Sequence, residues 1–304
     1  MIYDIVTFGS ASWDIYLDPK QMKIIPVKSF SSGKAIAFNL GSKIDLKKTC
    51  FSMGGGGVNS AFTFSRQGFK VAYCGCVGDD ILGSDIIAKL QKQKIYTGLI
   101  EKSDKACTNS SAIFNIKGQD RTIMVYRGAS EYLSKINSPK AKWYYLAPLS
   151  GKASLKTKEI ISKGKKYGAK IAFNPGNSQL KMPIKDLLKD VDVLLLNQEE
   201  ASILTKNDYK KEERIIDDLK KLFNGIIVMT KGKRGVVVIN KGEVFREKSY
   251  NIKVVDKTGA GDAFGSGFIS GLIKYKGDVK KAAKLGLKNS SSCIKKQGAI
   301  NGLL

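Results

Sequence analysis

The sequence predicts an α/β fold, a doubly wound, mostly parallel sheet with helices on both faces, accompanied by a small β-sheet placed as a lid. Three observations carry this expectation. Short apolar runs alternate with amphipathic stretches from end to end of the 304 residues, which implies βαβ units and a sheet covered on both sides. At Glu213–Phe223 the residues Ile215, Ile216, Leu219, Leu222 and Phe223 recur at helical spacing and make one apolar face. Two stretches, residues 15–50 and 109–130, break the rhythm with β-like pieces and no good helix.

Taken in order, the first strand-like run is Tyr3–Phe8. Ile15 to Cys50 then offers short β-like pieces, as in Ala35–Leu40 and Lys43–Leu46. Val71–Val77 resumes the main sheet. Asn109–Arg127 reads as a hairpin of Ser111–Ile116, a Lys117-Gly118-Gln119-Asp120 turn and Thr122–Tyr126. Trp143–Ala147, Lys170–Phe173, Val193–Leu196, Ile226–Met229 and Val236–Ile239 complete the apolar runs, with helical patterns between them. No Pro- or Ser-rich linker and no internal repeat divides the chain, so residues 1–304 are expected to form a single domain with its lid.

Composition narrows the chemistry. Hydrophobic residues at 42% supply a core, yet no apolar run approaches the roughly eighteen residues that a membrane span needs. The opening Met1-Ile-Tyr-Asp-Ile-Val-Thr-Phe8 lacks the basic start and long apolar stretch of an export signal. Five cysteines without a Cys-x-x-Cys pair read as reduced thiols in a cytoplasmic protein. Histidine is absent, which excludes Ser-His-Asp and Cys-His nucleophile systems and paired-histidine zinc sites. A general base must be a carboxylate, lysine, tyrosine or cysteine. The formal charge of +25 comes mainly from lysines scattered over helical stretches such as Lys156–Lys170 and Lys280–Lys296. Without aromatic platforms or a reading helix this is a solvated surface, and neither a specific nucleic-acid partner nor a membrane is expected.

The most informative segment is Asp256-Lys-Thr-Gly-Ala-Gly-Asp262. Gly259, Ala260 and Gly261 let backbone N–H groups approach an anion, and a helix beginning near Asp262 adds its positive end. Asp262 is out of place in a site that only binds anions, but fits a base that accepts a hydroxyl proton. An N-cap aspartate after a Gly-rich turn is the bland alternative. A second segment, Gly54-Gly55-Gly56-Gly57-Val58-Asn59, permits close backbone approach to a ligand, and Asn59 offers a donor and an acceptor to sugar hydroxyls. No Gly-Lys-Ser/Thr follows, so it is not a P-loop, and a flexible turn would also explain it.

These segments together resemble the ribokinase-like (PfkB) carbohydrate kinase family over nearly the whole chain. The glycine loop ending in Asn59 resembles the family's first signature and Asp256–Asp262 its second. Between them stand Gly75-x-Val77-Gly78-x-Asp80-x-x-Gly83, Asn197-x-x-Glu200 and Thr230-x-Gly232-x-x-Gly235 in the family's order. The resemblance implies a doubly wound domain with a β-lid and an ATP-dependent, Mg²⁺-assisted kinase. Asp262 would be the base and the Gly259–Gly261 backbone the anion hole. Asn197 and Glu200 would hold Mg²⁺ through water, although Asn-x-x-Glu is also a helix-capping pattern. Asn197, Thr230, Gly232, Gly235 and Asn289 would serve the nucleotide. Asp14, Gly55, Gly56, Gly57 and Asn59 would bind the acceptor. The Gln119–Ser130 segment resembles lid strands in which a Tyr-Arg pair faces the sugar. That assigns Arg127 to the acceptor too, against the alternative of an ion pair with Glu131. A homodimer through the lid is a family tendency.

Departures matter as well. Gly56 stands where ribokinases have lysine, and Leu146-Ala-Pro-Leu149 where they have a glutamate, so ribose is not the favoured acceptor. Lys257 replaces the usual threonine, which bears on the monovalent cation site that some members form from nearby carbonyls. The expected activity is phosphorylation of a sugar or sugar acid. A nucleoside kinase and a catalytically silent ligand-binding relative are the alternatives.

Overall fold

The computed structural model describes residues 2–30, 32–114, 121–137 and 139–304. One eight-stranded sheet organises it, in the order Glu243–Glu247, Val236–Asn240, Ile226–Thr230, Val193–Asn197, Lys170–Phe173, Ala141–Leu146, Tyr3–Phe8 and Val71–Cys74. The strands from Val71–Cys74 to Ile226–Thr230 pair in parallel. The two at the other edge are antiparallel. Successive residues feed opposite faces, as strand geometry requires. Tyr144 and Leu146 enter the core under the helices Thr157–Lys166, Gln198–Thr205 and Glu212–Leu222. Tyr145 and Ala147 enter the core under Gly56–Arg66, Ile81–Lys92, Ala260–Lys274 and Val279–Cys293. Both faces are therefore buried, which explains the consecutive apolar runs of the sequence.

The expected helix at 213–223 is observed as Glu212–Leu222, with Ile215, Ile216 and Leu219 buried. Val71–Val77 is not one strand. At Gly75 the chain leaves the large sheet, and Cys76–Gly78 pairs with Glu101–Ser103 instead. The Tyr73 hydroxyl turns back at this point to donate to the Gly9 carbonyl (2.9 Å).

Both stretches that break the rhythm build a second sheet, ordered Thr122–Tyr126, Asn109–Phe114, Ser12–Pro19, Leu46–Gly54. The hairpin strands pair antiparallel as expected, and the Lys117–Asp120 turn lies outside the described residues. The β-piece expected at Lys43–Leu46 is displaced. Lys43–Asp45 are irregular and solvent-facing, and the strand is Leu46–Gly54, which runs straight into the glycines. Ala35–Leu40 shortens to Lys34–Ala37, paired with Lys23–Pro26. Register places Asp14 between Ser52 and Ser111, and Tyr16 between Cys50 and Ile113. Two residues apart, Asp14 and Tyr16 share one face.

The last two helices lie against each other at backbone contact. A Cβ added to Gly271 would sit 2.6 Å from the Ala282 Cα, and one on Gly286 would sit 2.9 Å from the Phe264 carbonyl oxygen.

Candidate active site

The order of the large sheet reverses between Tyr3–Phe8 and Ala141–Leu146, and open α/β sheets bind ligands beyond the carboxyl ends of strands at such a point. Gly9–Ser10 and Ala147–Pro148 leave those ends. The glycine segment arrives beside them, but it is less of a loop than its composition implies. The helix Gly56–Arg66 begins inside it, so Gly56, Gly57 and Asn59 are helical. Gly57 and Val58 donate their N–H groups to the Ser10 carbonyl (3.1 and 3.4 Å), leaving Gly55, at φ 93°, as the hinge before the helix. A Cβ on Gly56 would stand 3.1 Å from the Ala147 Cβ and 3.2 Å from the Asp262 Oδ1. The missing side chain lets the two elements meet.

Asp262 lies in the first turn of Ala260–Lys274, which Gly259 caps in the left-handed conformation at φ 76°. Ala260 donates its N–H to the Lys257 carbonyl (3.3 Å). The N–H groups of Gly261 and Asp262 have no acceptor among the described residues. They form the open end of the helix, where negative charge is favoured. Asn59 Nδ2 donates to Asp262 Oδ2 at 2.8 Å, while its own Oδ1 is buried with no partner among the described residues. Burial pushes the Asp262 carboxyl above the usual carboxylate range, partly offset by the Asn59 hydrogen bond. Asp14, only 4% exposed, is also raised. Burial is the main cause, hydrogen bonds from Ser111 and Ser12 oppose it, and the charges of Asp256 and Asp262 reinforce it.

Asn197 and Glu200 close a reciprocal capping box. Glu200 N–H donates to Asn197 Oδ1 and Asn197 N–H to Glu200 Oε2, both at 2.8 Å. Both residues also line a cavity of about 190 Å³ together with Thr230, Gly261 and Asp262. Burial raises the Glu200 carboxyl, the Asn197 N–H lowers it, and the charges of Glu199 and Asp262 raise it further. Among the described residues no cluster of three or more His, Cys, Asp or Glu is arranged to hold a metal directly. A single carboxylate with one uncommitted oxygen suits Mg²⁺ that keeps its waters and binds chiefly to phosphate. Beyond lies a larger cavity of about 830 Å³, lined by Thr230, Gly232, Gly235, Ala260 and Gly261. Thr230, Gly261 and Phe264 border both cavities, so the two adjoin.

Residues 5–304 match the pfkB family of carbohydrate kinases. The chain belongs to that family. It is 28% identical over 264 residues to a ribokinase of Haemophilus influenzae, covering 82% of this chain and 83% of that protein. It is 30% identical over 266 residues to an ATP-dependent 6-phosphofructokinase of Thermoanaerobacterium thermosaccharolyticum, covering 81% and 80%. The fold superposes on the Arabidopsis thaliana ribokinase complexed with ribose and ATP with a TM-score of 0.81, at 21% identity, covering 100% of this chain and 96% of that one. This pfkB kinase is thus a phosphotransferase with an alcohol acceptor, built on a ribokinase fold.

One residue named from the sequence sits elsewhere than expected in this pfkB kinase. Asn289 faces the core and not the large cavity. Its Nδ2 donates to the Thr63 Oγ1 (3.2 Å) and the Ala263 carbonyl (2.7 Å), and its Oδ1 accepts from the Leu304 N–H (2.8 Å). It ties the last helix and the C-terminus to the helix that carries Asp262. The neighbours Ser290, Ser291 and Ile294 are the ones that line the cavity. Arg127 falls just past the Thr122–Tyr126 strand, exposed. Among the described residues it makes no ion pair, so the alternative partner Glu131 does not engage it. Lys233, Lys257 and Tyr250–Ile252 also line the large cavity. Lys233 and Tyr250–Ile252 have no apolar periodicity that would single them out, and Lys257 stands out in the sequence only as a departure within the second signature.

Proposed function

We propose that this chain is an ATP-dependent kinase that transfers the γ-phosphoryl group to a hydroxyl of a small sugar or sugar acid, with Asp262 as general base. The observation that carries this is the position of Asp262. Asn59 holds it on one side, and the cavity shared by Thr230, Gly261 and Glu200 opens on the other. The acceptor hydroxyl gives its proton to the Asp262 carboxylate. Its oxygen bonds to the γ-phosphorus as the bond to the bridging oxygen breaks, and ADP leaves with those electrons. The free N–H groups of Gly261 and Asp262, at a helix N-terminus, face the charge that shifts during transfer. Glu200 and Asn197 would hold Mg²⁺ through water, and the ion would supply charge neutralisation at the phosphates.

On the acceptor side, the second sheet serves as a lid. Asp14 and Asn59 are placed to bind hydroxyls. Arg127, scarce as arginine is here, supplies a planar fork suited to a carboxylate or phosphate. Val125 and Ile123 lie opposite Ser111 and Ile113 on the face that carries Asp14. This exposed apolar row also suits a nucleobase, which makes a nucleoside the second reading. The outer face of the lid, with Phe51 and Met124 61% and 60% exposed, supports a homodimer through the lid. Five unpaired cysteines support a reducing, cytoplasmic setting.

The test is ADP formation with ATP, Mg²⁺ and a panel of sugars, sugar acids and nucleosides. Turnover of a sugar or sugar acid is expected. Turnover of nucleosides alone moves the assignment to the second reading, and none across the panel overturns both. Arg127→Ala should raise KM for the best acceptor and leave KM for ATP within about twofold. Lost thermal stability with an unchanged acceptor KM would place Arg127 in the scaffold.

A further inference from the structure

Asp256 opens the loop that leads into the base's helix, and its buried carboxylate is fully occupied. Oδ1 accepts from the Thr258 N–H (2.9 Å) and the Thr258 hydroxyl (2.7 Å). Oδ2 accepts from the Gly298 N–H (2.9 Å) and the Tyr16 hydroxyl (2.7 Å). Three of the donors belong to the same end of the molecule as the loop. The fourth comes from the second sheet, 240 residues away in the chain. Burial pushes the Asp256 carboxyl up, yet the donors from Gly298, Thr258 and Tyr16 hold it below the usual range.

The lid meets this loop at a close seat. Tyr16 is 2% exposed. Ser52, the cross-strand partner of Asp14, presses on Gly298, where a Cβ would lie 2.4 Å from its Oγ. Gly298 adopts φ 90°, a conformation few other residues tolerate. The strand Ser12–Pro19 therefore presents Asp14 toward the acceptor and, two residues on, Tyr16 toward the loop of the anion hole.

We propose that Tyr16 is a positioning residue that couples the lid to the anion hole through Asp256. When the lid is seated, its phenol completes the hydrogen bonding of the carboxylate that fixes the Thr258–Gly259 turn. A buried carboxylate that lacks one donor is costly, so turn and lid favour each other's ordered position. This inference rests on the kinase reading, with ATP as the ligand of the large cavity.

Tyr16→Phe keeps the ring and removes only the donor. Hydrogen exchange on the full chain, with Mg²⁺ and the non-hydrolysable analogue adenylyl imidodiphosphate, reads the coupling. In the parent, the analogue should slow exchange at residues 256–264 and also in the lid strands 12–19 and 46–54. In Tyr16→Phe, protection should persist at 256–264 and be lost in the lid, with analogue Kd within about twofold. A merely structural tyrosine would leave the lid response intact, and that result overturns the proposal. So does a parent whose lid never responds. Absence of protection at 256–264 in both proteins refutes the nucleotide reading itself and removes this inference with it. Asp256→Asn gives an independent check. It should uncouple the lid alike, and the double variant should respond no less than Asp256→Asn alone. Additive losses would mean that Tyr16 does not act through Asp256.

Discussion

At the scale of single residues, Asp262 combines its proposed role as base with a cost to the fold. Its carboxyl is held above the usual range by burial, so the folded protein binds that proton more tightly than the unfolded chain does. Stability from this group is complete below the unfolded carboxylate value of 3.8 and is lost as pH rises through the folded value. Asp262→Asn should thus raise Tm at pH 7, and the gain should disappear near pH 3. The same change should lower kcat about 10²–10⁴-fold. Melting curves across pH together with turnover decide it, and a variant that keeps near-parental kcat removes Asp262 from the role of base. Asp262, Asn59 and Glu200 were legible in the sequence because their motifs fix both residue type and spacing. Tyr16 was not. Its partner lies at Asp256, and only the register of the second sheet brings them together. Asn289 was misread for a related reason, since sequence position places it on the last helix but does not say which way it faces.

At the scale of elements, the Gln198–Thr205 helix carries two functions in one motif. Its capping box satisfies backbone donors at the helix start, and its glutamate borders the cavity beside Asp262. Glutamine retains the box, since either side chain reaches back to the N-cap N–H, but loses the charge. Glu200→Gln should leave Tm nearly unchanged and raise the Mg²⁺ concentration for half-maximal rate. An unchanged Mg²⁺ titration reduces the motif to a helix cap. Elements buried on both sides were legible, as at Tyr3–Phe8 and Lys170–Phe173, which the structure returns with the same bounds. Glu243–Glu247 was not, because this edge strand is charged and only half-buried. The start of Gly56–Arg66 was hidden by glycines, poor helix formers that here permit close packing.

At the scale of the whole molecule, the +25 charge is spread over the surface. Many of its ion pairs are local helix pairs such as Lys89–Asp85 and Lys163–Glu159, which contribute little to stability. The carboxylates Asp14, Asp256 and Asp262 gather inside instead, close enough that Asp256 and Asp262 help to raise the Asp14 carboxyl. Binding to DNA should be weak, indifferent to sequence, and fall by about 10³-fold or more between 50 and 200 mM salt. Sub-micromolar, sequence-selective binding at physiological salt would overturn the reading of a solvated surface. The close seat of Gly271 on Ala282 bears on how such a molecule diversifies. It fuses the two last helices into one stiff piece that bears Asp262 at one end and the cavity-lining Ser290 and Ser291 on the other helix. Asp14, the carboxylate proposed to meet the acceptor, resides on a strand outside that piece. Donor handling can therefore be inherited intact while acceptor preference is rewritten strand by strand. Grafting the segments 12–19 and 109–130 from a relative with a different acceptor is the corresponding route to a retargeted enzyme.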